Sequence, residues 1–152
     1  MTEQEIKTIR HSLEIMGKRS EGLAQMFYSR RLFRLDPSLR GMFRTDIDVQ
    51  AKKLMSVLAV LIGSLERFDT LRPTLRYMGS CHAGYGVRPE HYRTVGQALL
   101  ETLEEVAGTG FNEAMRVAWR KVLTLVSNEM LEGAVGAAAS ASGATAPSQA
   151  AG

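Results

Sequence analysis

Apolar residues recur along most of the chain at steps of three and four, the period of a helix with one buried face. Ile6, Ile9, Leu13 and Met16 open the series, behind a Thr2-x-x-Glu5 pattern that predicts a capping box. Ala24, Tyr28 and Leu32 step by four, with Phe27 alongside. Asp36-Pro37 reads as an N-cap followed by proline at the first position of a short helix. Leu54, Val57, Leu58, Leu61 and Leu65 form the strongest stripe, and Leu71, Leu75, Met78 and His82 form the next. Tyr92, Val95, Leu99, Leu103 and Val106 follow behind Pro89. Met115, Ala118, Trp119, Val122, Val126 and Met130 make the last stripe. Alternating strand patterns and Asn-Gly or Asp-Gly hairpin turns are absent. The pattern predicts an all-α domain of about six or seven helices with short connections.

The pattern stops near residue 132. Residues 133–152 are Ala, Gly and Ser with scarcely another type, and they carry no charge. Such a segment buries too little surface to offset its ordering entropy, so it reads as a flexible tail. Some of its alanine-rich part is able to extend the last helix. The expected division is a working domain over 1–132 and a tail over 133–152.

Composition narrows the function classes. The 152 residues suit one domain, and 45% hydrophobic with 23% charged residues is ordinary globular composition. Nineteen basic against sixteen acidic side chains give a net charge of +3, too balanced to imply nucleic acid. Leu54 to Leu65 is the most apolar run and is too short to span a membrane. A single cysteine excludes an internal disulfide and an all-cysteine zinc site. The acidic, polar N-terminus does not read as a secretory signal, so a reducing cytoplasmic setting is expected.

Several polar residues fall on inward stripes. His82 continues Leu71–Leu75–Met78, just before Gly84 and Gly86 that would end the helix. Two readings stand: a buried imidazole bonded to a backbone carbonyl, or an axial ligand to haem iron. Cys81 points about a third of a turn away and reads as a small, partly buried thiol. His91 lies across two glycines and Pro89 from His82, not at the i, i+4 spacing of a helical metal pair. His11 sits off its stripe, toward solvent. Gln50 stands one turn before Leu54, so it faces either solvent or a polar spot in a cavity. Tyr28 is on an inward face, and its hydroxyl needs a partner if buried. Phosphate loops, Gly-x-Ser-x-Gly and His-Glu-x-x-His are all missing.

The order of certain segments is more specific than any single residue. Met26-Phe27-Tyr28 comes first, then Asp36-Pro37-Ser38-Leu39-Arg40-Gly41-Met42-Phe43, then Gln50-Ala51-Lys52-Lys53-Leu54-Met55. Cys81-His82-Ala83-Gly84-Tyr85-Gly86-Val87-Arg88-Pro89-Glu90-His91-Tyr92 follows, then Val95-Gly96-Gln97-Ala98-Leu99-Leu100 and Ala118-Trp119. Over about residues 3–132 this resembles the globin family, in particular single-domain bacterial haemoglobins and the haem domains of flavohaemoglobins.

The resemblance implies a globin fold enclosing a haem b, with His82 as the iron ligand and His91 not a ligand. It further implies that Phe43, Leu54, Val87 and Tyr92 line the haem. Tyr28 and Gln50 would face a bound diatomic ligand, and helix geometry makes the carbonyl of Met78, one turn back, the acceptor for the other ring nitrogen of His82. In flavohaemoglobins the tyrosine matched by Tyr92 joins the proximal histidine and a glutamate. Here the glutamate's place falls on Ala134, with Glu132 nearby. The activity implied is reversible binding of O2, with NO, CO and sulfide as further ligands. NO dioxygenation would need a separate reductase. The rivals are a haem-based gas sensor, a haem-free interaction module and a self-sufficient NO dioxygenase. The absence of a flavin domain argues against the last.

Overall fold

The computed structural model describes the backbone of residues 1–143 and the side chains of residues 1–139. The described chain is almost wholly helical, as the periodicity predicts. α1 (Glu3–Met16) begins at the expected capping box: Thr2 Oγ1 accepts from the Glu5 amide, and Glu5 accepts from that of Thr2. Its inward face carries Ile6, Ile9, Ser12 and Met16. Buried Ser12 is satisfied twice, donating to the Ile9 carbonyl at 2.6 Å and accepting from the Trp119 indole at 2.9 Å.

The second rod is composite. α2 (Leu23–Met26) runs into a π-helical turn (Phe27–Leu32) and then α3 (Phe33–Leu35). Asp36 caps the 3₁₀ turn Pro37–Met42 through the Ser38 amide, as the Asp-Pro pair predicts. α4 (Ile47–Gly63) starts at its own cap, Asp46, and buries Ala51, Leu58 and Leu61. α5 (Phe68–Gly84), α6 (Pro89–Ala107) and α7 (Glu113–Gly143) complete the fold. The core lies between α1, the composite rod, α6 and the first half of α7, with Phe27, Leu103, Met115, Trp119 and Val122 at its centre. No helix among the described residues is long and apolar enough to cross a membrane.

The last helix does not end where the apolar stripe does. α7 continues to Gly143, and Gly133 sits in a helix crossing rather than in a loose tail. α5 and α7 form the most extensive helix contact. A Cβ on Gly79 would lie 1.8 Å from the Met130 carbonyl oxygen, and one on Gly133 would lie 1.8 Å from that of Arg76. Two glycines thus let the two backbones touch. Beside them Glu129, 6% exposed, is held by Arg72 and by Arg76 Nε at 2.8 Å. The low-complexity composition hid this contact. Of the expected tail, residues 144–152 lie outside the described residues.

Candidate functional site

α4 and α5 do not pack closely on each other. The residues singled out on sequence grounds are distributed around these two helices and their neighbours.

On the α4 side, Tyr28 projects from the π-turn and is 4% exposed. In an α-helix, residues five apart point in different directions; a π-turn stacks them, because its bonds run from i to i+5. Phe33 therefore comes under Tyr28, with ring centroids 6.1 Å apart. Phe43 closes the group, 5.3 Å from Tyr28 and 5.5 Å from Phe33, both edge to face. Phe33 was on no predicted stripe, since a 3.6-residue template cannot anticipate the extra residue.

Gln50 faces this cluster. Its Nε2 donates to Tyr28 Oη at 3.3 Å, and its Oε1 accepts from Thr45 Oγ1 at 3.3 Å. Of the two sequence alternatives, solvent or polar spot, Gln50 takes the second while remaining partly exposed. Burial pushes the Tyr28 phenol above its ordinary value, and the Gln50 bond offsets only part of this. Tyr28 therefore stays a protonated donor at neutral pH. Because its oxygen already accepts from Gln50, its hydrogen is free for another acceptor. Leu54 lies one turn further along α4, partly buried against the core.

On the α5 side, His82 Nδ1 is 2.6 Å from the Met78 carbonyl oxygen. A carbonyl only accepts, so Nδ1 carries a hydrogen, and in the neutral ring Nε2 is the nitrogen with the lone pair. That is the tautomer of an imidazole that ligates a metal through Nε2. Helix α5 stops immediately afterwards. Gly86 takes φ +89°, and the Val87 amide folds back to the His82 carbonyl at 3.1 Å. Val87 is thereby fixed next to His82.

His91 does something different. It is 4% exposed, and its Nδ1 accepts the Arg88 amide at 2.9 Å, capping the start of α6. Because Nδ1 accepts, the neutral ring carries its hydrogen on Nε2, the tautomer opposite to that of His82. Its neighbour Tyr92 has a buried hydroxyl with no hydrogen-bond partner among the described residues. Burial also raises the Tyr92 phenol. Glu132 is not its partner: it is exposed and pairs with Arg76 at 2.9 Å. Ala134 offers no acceptor side chain.

These observations test the fit of a haem. Among the described residues no three His, Cys, Asp or Glu side chains converge, so a metal held by His82 must bring its other ligands with it. A porphyrin does this. Val57 and Val95 lie on core-facing stripes yet are 39% and 36% exposed, which suits a flat apolar group between the helices. The orphaned Tyr92 hydroxyl, α6's unpaired polar atom, also suits a partner from outside the chain. The residues fit.

A family model described as Globin matches residues 26–130. The chain belongs to the globin family. Neuroglobin-1 of Oncorhynchus mykiss is 29% identical over 88% of this globin and 92% of the relative. A flavohemoprotein of Vibrio cholerae is 27% identical over 78% of this globin, which spans only 31% of that relative. Among solved structures, the engineered carbene transferase RmaNOD of Rhodothermus marinus superposes with a TM-score of 0.81 at 25% identity, covering 93% of this chain and 99% of that one. A bacterial globin of Campylobacter jejuni gives 0.74 at 23% identity, covering 89% and 97%. The all-α globin fold is thus shown, and membership of the family implies a haem cofactor.

Proposed function

We propose that this globin holds a haem b through His82 Nε2 and reversibly binds O2 on the side lined by Tyr28, Gln50, Phe43 and Leu54. What supports the reading is that a chain of the globin family carries both a metal-ready imidazole on α5 and a buried, donor-bearing tyrosine on the composite rod. When bound, the haem supplies an iron with one coordination position open to a diatomic gas.

The chain's own residues supply the rest. Met78 fixes the His82 ring and its proton, so the nitrogen presented to the metal is always Nε2. Val87, tied by its amide to the His82 carbonyl, and Tyr92 are assigned to the same side of the haem. Phe33 and Phe43 hold the Tyr28 ring in place and keep water from it. Tyr28 Oη offers its hydrogen to negative charge on the ligand, and Gln50 Nε2 offers the second of its two hydrogens. CO, which accumulates less charge, gains less from these donors. NO and sulfide enter as further ligands of the same pocket.

A second reading is NO dioxygenation. It is favoured by likeness to a flavohemoprotein and to a Rhodothermus protein named for that activity. Electrons would come from a separate reductase, and we place the protein in the cytoplasm. Absorption spectra after haem reconstitution test the principal reading. Wild type shows a haem spectrum that shifts with O2 and CO, and His82→Gly loses it until imidazole is added. A wild-type chain that takes up no haem refutes it and favours an interaction module.

A further inference from the structure

We infer that Thr45, in the segment leading into α4, is a positioning residue for gas selectivity, acting through Gln50 upon Tyr28. The inference rests on the gas-binding reading and assigns the part of the site that sets its discrimination between ligands.

The three side chains form one line: Thr45 Oγ1 to Gln50 Oε1 at 3.3 Å, and Gln50 Nε2 to Tyr28 Oη at 3.3 Å. Both ends are hydroxyls, and a hydroxyl both donates and accepts. The amide between them therefore has two satisfied orders. In one, Thr45 donates to Gln50 and Gln50 donates to Tyr28, so the Tyr28 hydrogen points away and is available to a ligand. In the other, Tyr28 donates to Gln50 and Gln50 donates to Thr45, so the Tyr28 hydrogen is consumed. Every group keeps its partners in both orders, and no heavy atom need move beyond an amide flip.

A ligand that accepts a hydrogen bond selects the first order; one that does not leaves both open. Thr45 makes this work because it is a matched anchor for either end of the amide. It is exposed, so its hydroxyl reorients freely. The neighbouring backbone fixes its place: Asp46 caps α4 through the Asp48 amide, and the Gln50 amide bonds the Asp46 carbonyl. Thr45 is thus held one turn before Gln50 at the helix start. Without its hydroxyl the Gln50 amide has an anchor at one end only, and a partly exposed glutamine then turns toward water.

Three haem-reconstituted proteins test this: wild type, Thr45→Val and Thr45→Ser. Valine keeps the shape and removes the hydroxyl; serine keeps the hydroxyl. Thr45→Val should speed O2 dissociation about two- to fivefold, the loss of one neutral hydrogen bond and no more than Gln50→Leu itself, and leave CO dissociation within twofold. The infrared C–O stretching band of its CO complex should change in shape, since the dipoles facing the ligand are redistributed. Thr45→Ser should restore both readouts. Unchanged O2 dissociation and an unchanged CO band in Thr45→Val overturn the inference, and so does serine failing to restore them. Wild type that binds haem and both gases while Thr45→Val is silent refutes only the role of Thr45. Wild type without haem refutes the gas-binding reading and this inference with it.

Discussion

Tyr28→Phe is the most direct probe of the ligand side of the site. The substitution removes one oxygen and keeps the ring, so the contacts to Phe27, Phe33 and Phe43 survive. What is lost is the Tyr28 hydroxyl, whose hydrogen is left free for a ligand while Gln50 donates to its oxygen. A hydrogen bond to an acceptor carrying charge contributes about 1.5–3 kcal/mol, which translates to roughly 10- to 150-fold in dissociation rate. Part of this returns. Gln50 Nε2 loses Tyr28 Oη as its acceptor and can turn both hydrogens on the ligand. The net expectation is therefore the lower end, about tenfold faster O2 release. Laser photolysis and stopped-flow mixing give the O2 and CO rates separately, and CO dissociation should change much less. Gln50→Leu should show the same pattern more weakly, because Gln50 is only partly buried. Equal changes for O2 and CO, or none for O2, would mean that Tyr28 only shapes the pocket, and the assignment of donors would fail.

Three further outcomes follow from the packing. His91→Ala should lower the melting temperature, since removing a cap costs about 1 kcal/mol and a buried ring adds to that, while the haem spectrum stays; losing the spectrum would reverse the two histidines. Gly133→Ala and Gly79→Ala should destabilise by about 1–3 kcal/mol or more in urea titrations, because each new methyl meets a carbonyl of the facing helix. Gly136→Ala, with nothing within 4 Å, should instead stabilise by up to about 1 kcal/mol, and equal signs at Gly133 and Gly136 would contradict the helix crossing. In alkali, Tyr28 and Tyr92 hold their protons above the ordinary tyrosine value of 10.0 in the folded chain. Their contribution to stability is complete below about pH 10 and is lost as pH rises through the folded values. Urea midpoints between pH 8 and 11 should fall, and fall less in Tyr92→Phe; parallel curves for the two proteins would exclude this origin.

Much of the candidate site was legible because it obeys local rules. His82 could be found as a polar residue on an apolar stripe, and its bond to Met78 follows from the one-turn offset of a helix. Asp36-Pro37 and Thr2-x-x-Glu5 announce their caps by residue type. What escaped depends on relations no local rule contains. Gly133 looks like filler in a small-residue run, yet its value lies in a Cβ that is absent opposite Arg76. Glu129 reads as a solvated charge until Arg72 and Arg76 of another helix are seen beside it. The cap supplied by His91 is made by a residue type outside the usual capping set. Thr45 sits in a loop, where a hydroxyl has no pattern to belong to.

The π-turn at Phe27–Leu32 has an evolutionary consequence. Its register is set by the count of residues, not by their identities. Exchanging one side chain alters a contact but leaves the turn one residue longer than an α-helix. Removing a single residue between Tyr28 and Phe33 would let the rod relax to α-helix with the two rings four positions apart, still on one face. An insertion has no such outlet: it would turn Phe33 away from Tyr28 in one genetic event. This stretch should therefore accept a one-residue deletion far more readily than an insertion, and among descendants of this chain an inserted residue here would mark the loss of the aromatic cluster more surely than the loss of any one aromatic ring.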